Sequence, residues 1–263
     1  MKATHLIVCL TCCVLLGTTS VGAATLWFNV APSDLADGPT FDNGQGGVPF
    51  GYDPDSVKPT GSSQPGPAGF GDSCFWANVQ GSAAGGGVDY TAIRLSPKDI
   101  FGVTDVTIGD LSQISYYTKW VSDLDWQLKI YTEGEEAGDW YGYRFNFTRP
   151  AFGDSAWNLS STDALGNLRV SDIATKTTGG STTVPGTGLL TDLDTTFGAK
   201  KVLFMDIISS YMTASPPGDS YLDGITLELD NGDTATINTC PVPGASLLGA
   251  MGLGLVGGRR RRR

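Results

Sequence analysis

Histidine is almost missing from this chain of 263 residues: the single one, His5, stands among the first residues. Once those residues are set aside, Ser-His-Asp and Cys-His triads, His-ligated zinc and histidine general bases are all excluded. The body carries no P-loop, no C-x-x-C and no G-x-G-x-x-G behind a strand. Runs of apolar residues with helical spacing are nearly absent, and no uncharged stretch reaches the roughly 20 apolar residues that a bilayer span requires. Basic residues are scarce in the body as well. The 17 Lys and Arg include Lys2 and Arg259 to Arg263, which leaves 11 between the ends to face all 27 Asp and Glu, a net of −16. Such a surface does not neutralise phosphates, so nucleic acid is excluded as a partner.

What is present at the ends is a pair of addresses. Lys2, the uncharged stretch from Leu6 to Leu16 and the small residues Val21-Gly22-Ala23-Ala24 predict a secretory signal peptide over residues 1–24, cleaved after Ala23 or Ala24. Cys12 and Cys13 fall inside its apolar region and suit no lipid attachment. At the other end stand Cys240, Pro241, Val242, Pro243, Gly244 and Ala245, then a short apolar run from Ser246 to Gly258, then Arg259, Arg260, Arg261, Arg262 and Arg263. The run is too brief for a permanent span and rich in helix-weakening glycine, and the arginines would hold its end on the cytoplasmic side. Residues 240–263 are therefore expected to be a sorting tail with a short apolar helix, transiently associated with the membrane. The other reading is a frayed apolar tail with an incidental basic end.

That order of Pro-rich hexapeptide, apolar run and arginine block resembles the C-terminal signal of bacterial PEP-CTERM proteins, in the variant written V-P-L-P-G-A. Here Cys240 stands where that variant has Val, and Val242 where it has Leu; the glutamate of the commoner form is absent. The resemblance implies export, processing near Pro241 to Gly244 by an exosortase-type membrane protease, and a life at the cell surface or among extracellular polysaccharides.

Between the ends lies a body of about 215 residues, 25–239, the size of one β-sandwich. Residues 31–88 are dense in glycine and proline and predict turns and edge strands. Strands are expected at Asp89 to Leu95, Leu111 to Trp120, Asp125 to Thr132, Asp139 to Thr148, Ala156 to Ser160, Leu168 to Ser171 and Lys201 to Ile208. The last of these is apolar on both faces and so central. Thr177 to Gly188 reads as a long surface loop. Leu222 to Asp230 and Asp233 to Asn238 flank Asn231-Gly232, a strong hairpin signal. Short strands with turns between them point to an all-β, two-sheet, jelly-roll-like β-sandwich. The stretch from Val202 to Leu229 is similar to the ending of jelly-roll carbohydrate-binding modules and of laminin-G-like or galactose-binding-like sandwiches. That likeness bears on fold more than on activity.

If 125–132 pairs with 139–148, then Gln127, Lys129, Tyr131, Trp140, Arg144 and Asn146 share one sheet face. Rings to stack on sugar C–H groups, with amides and cations to take hydroxyls, are the chemistry of a glycan-binding surface. The plainer reading is a half-buried, solvated outer face. Asp123, Asp125, Glu133, Glu135, Glu136 and Asp139 cluster near the same hairpin, where a glycosidase would use two carboxyls across a scissile bond, but they fall in loops and form no E-x-D-x-x-E strand pattern, so solvated turns are the expectation. No catalytic residue is assigned, and the expected protein is non-catalytic. The alternative is a secreted glycan-active enzyme, a hydrolase working with paired carboxylates or a lyase working with Lys129, Tyr131 and Arg144. No cofactor or metal ligand set is assigned; Asp53 with Asp55, Asp192 with Asp194, Asp219 with Asp223 and Asp230 with Asp233 supply oxygen pairs for a structural calcium without a complete loop motif. In an oxidising compartment Cys74 and Cys240 are candidates for a bridge from the early loops to the last strand; the alternative is two unpaired thiols.

Overall fold

The computed structural model describes residues 23–32, 35–37, 49–52, 60–62, 64–79, 90–120, 126–137, 139–149, 156–176, 181–210 and 218–239. The expected signal peptide up to residue 22, the whole of the expected sorting tail 240–263, Asp53, Asp55, Asp123 and Asp125 lie outside the described residues. Among the described residues no helix is long and apolar enough to cross a membrane.

Fifteen strands, two short α-helices and two 3-10 turns, Ile108–Asp110 and Thr191–Leu193, are described. The strands are β1 (Thr25–Val30), β2 (Ala36–Asp37), β3 (Phe50–Tyr52), β4 (Thr60–Ser62), β5 (Cys74–Val79), β6 (Tyr90–Leu95), β7 (Leu111–Trp120) and β8 (Trp126–Thr132). They continue with β9 (Tyr143–Thr148), β10 (Asn158–Ser161), β11 (Arg169–Thr175), β12 (Ser181–Thr182), β13 (Val202–Ser210), β14 (Gly218–Leu229) and β15 (Thr234–Thr239). The helix α1 (Pro97–Phe101) lies in the connection from one sheet to the other, between β6 and β7, and α2 (Asp194–Phe197) in the connection between β12 and β13.

Seven strands form one sheet around β14, whose 12 residues serve two neighbours on one edge, β15 and β5, and β7 on the other. The parallel partner β1 lies beyond β15, β4 beyond β5 and β10 beyond β7. Eight strands form the second sheet in the order β12-β11-β9-β8-β13-β6-β3-β2. Leu128, Ile130, Phe145, Phe147, Met205, Ile207, Ile93 and Leu95 from this sheet join Phe75, Ile114, Tyr116, Leu222, Ile225, Leu227 and Ile237 from the other in one buried cluster. The molecule is thus a two-sheet all-β sandwich. Each such side chain contributes roughly 1.5–3 kcal/mol on burial, whereas exposed pairs such as Lys200–Glu135 and Lys201–Asp105 contribute about 0–1 kcal/mol. The sandwich is held by its interior.

The expected strands recur with shifted ends: β10 runs on to Ser161, β11 to Thr175 and β13 to Ser210, and β14 already begins at Gly218; β13 is central, flanked by β8 and β6. The Asn-Gly hairpin forms as expected, with Gly232 at φ 87° and its N–H donating to the Leu229 carbonyl. Two expectations are corrected. The run predicted from Asp139 as a strand becomes one only at Tyr143, because Gly142 N–H and Tyr143 N–H both turn back to Thr132, through its carbonyl and its Oγ1. A Cβ on Gly142 would meet the Glu133 carbonyl oxygen, so only glycine allows that close approach. Within the expected loop 177–188, Ser181–Thr182 instead pairs with β11 as the edge strand β12.

Candidate functional site

The outer face of the eight-stranded sheet carries the residues that the alternation singled out. β8 pairs with β9 so that Lys129 faces Asn146 and Tyr131 faces Arg144. Since side chains alternate along a strand, Gln127 joins them on that face, opposite Ile208 of β13. Trp140 comes from the hairpin loop rather than from β9, and its ring lies 5.7 Å from that of Tyr131. All six candidate residues therefore share one surface.

The structure adds partners that the hairpin alone did not reveal. In register across five strands run Arg94, Asp206, Lys129, Asn146 and Asp172. Arg94 donates Nε and Nη2 to the two oxygens of Asp206 at 2.8 and 2.9 Å, and both residues are buried. Asn146 donates Nδ2 to Asp172 Oδ2 at 2.8 Å, while its own Oδ1 is enclosed without a hydrogen-bond partner. Arg144 Nε is likewise enclosed and unpartnered. Buried polar atoms of this kind are uncommon, because each forgoes water without recovering a bond.

Beside this polar row sits an aromatic cluster. Tyr131 stacks on Phe204 at 4.5 Å and meets Tyr141 edge-on at 5.5 Å; Trp140 meets Tyr141 edge-on at 4.4 Å. Tyr141 belongs to this cluster and not to the interior cluster that holds Phe145 and Phe147. Arg94 caps the Phe204 ring at 4.1 Å, and Lys176 Nζ stands 5.5 Å from the Trp140 ring centre. Tyr131 is buried, whereas Trp140 is 37 % exposed. Trp140 is the ring a ligand can reach.

The sequence pointed to neither Arg94 nor Asp206, although a signal existed: one carboxylate inside the apolar run Val202 to Ile208 demands a cation from a neighbouring strand. Phe204, Asp172 and Lys176 carried no local signal.

The carboxylates considered for calcium serve separate ends. Asp192 Oδ2 accepts from the N–H groups of Thr187 and Leu189, and these bonds hold its carboxyl below the usual carboxylate range. Asp194 is pushed up, mainly by burial and then by the charge of Asp230. Asp233 accepts from Ala24 N–H and from the Asn231 amide. Asp219 takes the Trp76 indole N–H at 3.1 Å, and lies four residues from Asp223 on one strand, about 13 Å along it, too far to share an ion. Among the described residues no three His, Cys, Asp or Glu side chains converge as a metal would need. Glu135 pairs with Lys200, and Glu133, Glu136 and Asp139 occupy the exposed or half-exposed hairpin loop as expected.

A second polar cluster lies on the opposite sheet. Asp223 is fully buried; its Oδ1 accepts from Gly224 N–H at 2.8 Å and Thr239 N–H at 3.0 Å, and its Oδ2 sits beneath Gly66 without a hydrogen bond. Burial pushes its pKa up to about 6, against the opposing effect of those two backbone donors. Cys74 is a free, buried thiol, raised to about 12 by burial and by the Asp223 charge, with Lys119 opposing. Its expected partner Cys240 lies outside the described residues.

Comparison with known proteins finds no matching family model, no matching curated protein and no matching solved structure. The fold and face define an all-β sandwich with an aromatic and polar sheet surface, and function has to be argued from that surface.

Proposed function

We propose that this chain is a non-catalytic, exported, polysaccharide-associated protein whose body is a jelly-roll-like glycan-binding sandwich. Export through the signal peptide, delivery by the PEP-CTERM-like tail to an exosortase-type membrane protease, and a final place at the cell surface or in the extracellular matrix complete the reading. The observation that carries it is the grouping of Trp140, Tyr131, Arg144 and Asn146 on one sheet face. There an accessible indole adjoins the half-buried guanidinium of Arg144 and amide of Asn146. A sugar ring stacked on Trp140 would present hydroxyls to the solvent-facing edges of these groups.

Of the enzymatic alternatives, a hydrolase would need paired carboxylates, and Glu133, Glu135, Glu136 and Asp139 sit in the hairpin loop; a lyase would draw on Lys129, Tyr131 and Arg144. Tyr131, its natural proton-abstracting group, is buried among Phe204 and Tyr141, which suits a packing role better than contact with substrate.

Glycan-array screening and titration calorimetry of the chain test the reading. Binding is expected to at least one extracellular-type polysaccharide, weakened about tenfold by Trp140→Ala. Silence across the array, or full affinity in that variant, would remove the glycan site. Product release abolished by Tyr131→Phe would replace it with the enzymatic reading. For the tail, a fractionation blot comparing the whole chain with one ending at Thr239 is expected to show different destinations; identical behaviour would empty the sorting argument.

A further inference from the structure

The opposite outer face of the sandwich carries an apolar ridge that the hairpin site does not use. Trp27 projects from β1, 52 % exposed, and stacks at 5.8 Å on Phe70, a residue of the connection between β4 and β5. Phe70 in turn meets Tyr117 of β7 at 5.6 Å, and Tyr117 stands directly opposite Leu159 of β10, 46 % exposed. Four side chains from four separate segments thus form one line across the seven-stranded sheet. Phe70 holds its place because Gly224, at φ 59°, leaves room for the ring; a Cβ there would strike it at 2.8 Å.

At its Trp27 end the ridge is flanked by uncharged side chains; at the Tyr117 end the carboxylate in register, Asp223, is buried, and Lys119 follows two residues along β7. In register beside Trp27 lie Thr236, Thr226 and Ser115. One step along, Asn29 Oδ1 accepts from both Trp27 Nε1 and Asn238 Nδ2, at 3.2 and 3.1 Å, and Asn238 Oδ1 is left enclosed without a partner. Hydroxyls and amides without a formal charge, on a body whose net charge is −16 by the count above, complement a neutral ligand that brings donors of its own. The exposed parts of four side chains amount to a few hundred Å², short of the ~800 Å² per partner that a stable protein interface buries. The sheet surface suits an extended polymer better than a second subunit.

We propose that this ridge is a second carbohydrate-binding face, selective for neutral, insoluble polysaccharide, with Trp27 as its stacking residue. It is independent of the Trp140 site and lies on the opposite side of the sandwich, so one molecule joins two chains of matrix. Linking two modest sites in this way multiplies retention on a surface without any new contact.

The test is depletion of the chain from solution by cellulose, chitin and starch granules, with Trp27→Ala, Leu159→Ala and Trp140→Ala compared. Binding to at least one granule is expected, about tenfold weaker in Trp27→Ala and reduced in Leu159→Ala, in the parent and in a Trp140→Ala background alike. No depletion by any of the three, or unchanged depletion by Trp27→Ala, overturns the proposal. So does sedimentation velocity showing a dimer that Trp27→Ala converts to monomer, since the ridge would then be a contact between copies. The arms are separable: loss only in Trp140→Ala removes this inference and leaves the first glycan site standing.

Discussion

Arg94 and Asp206 form a two-pronged ion pair on the outer face of the eight-stranded sheet, where ordinary alternation would place solvated side chains. Both are buried, at 8 % and 2 % exposure, and Arg94 also caps the Phe204 ring. A buried pair gains little over apolar residues of similar size, but breaking it strands one charge at a cost of about 3–5 kcal/mol. Asp206→Ala and Arg94→Ala are each expected to lower unfolding free energy by that amount in urea titrations, while Arg94→Met with Asp206→Leu recovers most of it. A single variant within 1 kcal/mol of the parent would show that the pair is effectively solvated.

Asp223 gives the fold a pH dependence. Its pKa in the folded chain is about 6, against about 3.9 when unfolded. The folded state therefore holds this proton more tightly, and stability falls as pH rises from about 4 to about 6, then levels off. Two units correspond to about 3 kcal/mol. Thermal melts of the parent and of Asp223→Asn should diverge across that window, with the parent losing relative stability toward pH 6.5. Parallel curves would mean that water reaches the carboxylate.

Gly224 and Phe70 are coupled through the space that the missing Cβ leaves. Gly224→Ala is expected to cost roughly 1–3 kcal/mol, from left-handed backbone and from crowding. Phe70→Ala in the same chain removes the crowding, so the double variant should lose less than the two single losses added. A strictly additive cycle in chemical denaturation would separate the two residues.

How far these features were legible in the sequence depends on the distance over which each is encoded. β8 alternates Trp126, Leu128 and Ile130 inward against Gln127 and Lys129 outward, a signal written within seven residues, and Asn231-Gly232 fixes its hairpin locally. The six hairpin candidates were found because one turn joins both of their strands. Arg94 and Asp206 stand 112 positions apart, and their meeting depends on strand order, which no local pattern specifies. Trp140 was assigned to the right face for the wrong reason: alternation placed it on a strand, whereas the tight approach at Gly142 makes it a loop residue. Phe70 sits in a Gly/Pro-rich stretch with no period at all, so its contact with Trp27 had no trace in sequence.

Cys74 tests the thiol state of the folded chain. It lies on the outward side of β5, fully buried, with Asp223 among the charges that raise its pKa. The residues before it and before Cys240 are already joined, since Ser73 Oγ donates to the Thr239 carbonyl at 2.8 Å. That bond fixes the last strand beside β5 without help from sulfur, and Cys74 is free. With a pKa of about 12, only about one thiol in ten thousand is ionised at pH 8, and the thiolate is the reactive species. Iodoacetamide is therefore expected to leave Cys74 unmodified in the folded protein and to alkylate it fully in guanidinium without reductant. Peptide mass analysis distinguishes the outcomes: rapid labelling of the folded chain would show that the thiol is reached through ready local opening. Labelling in guanidinium only after a reductant is added would show that Cys74 is held in a disulfide, with Cys240 the partner to look for in the same digest.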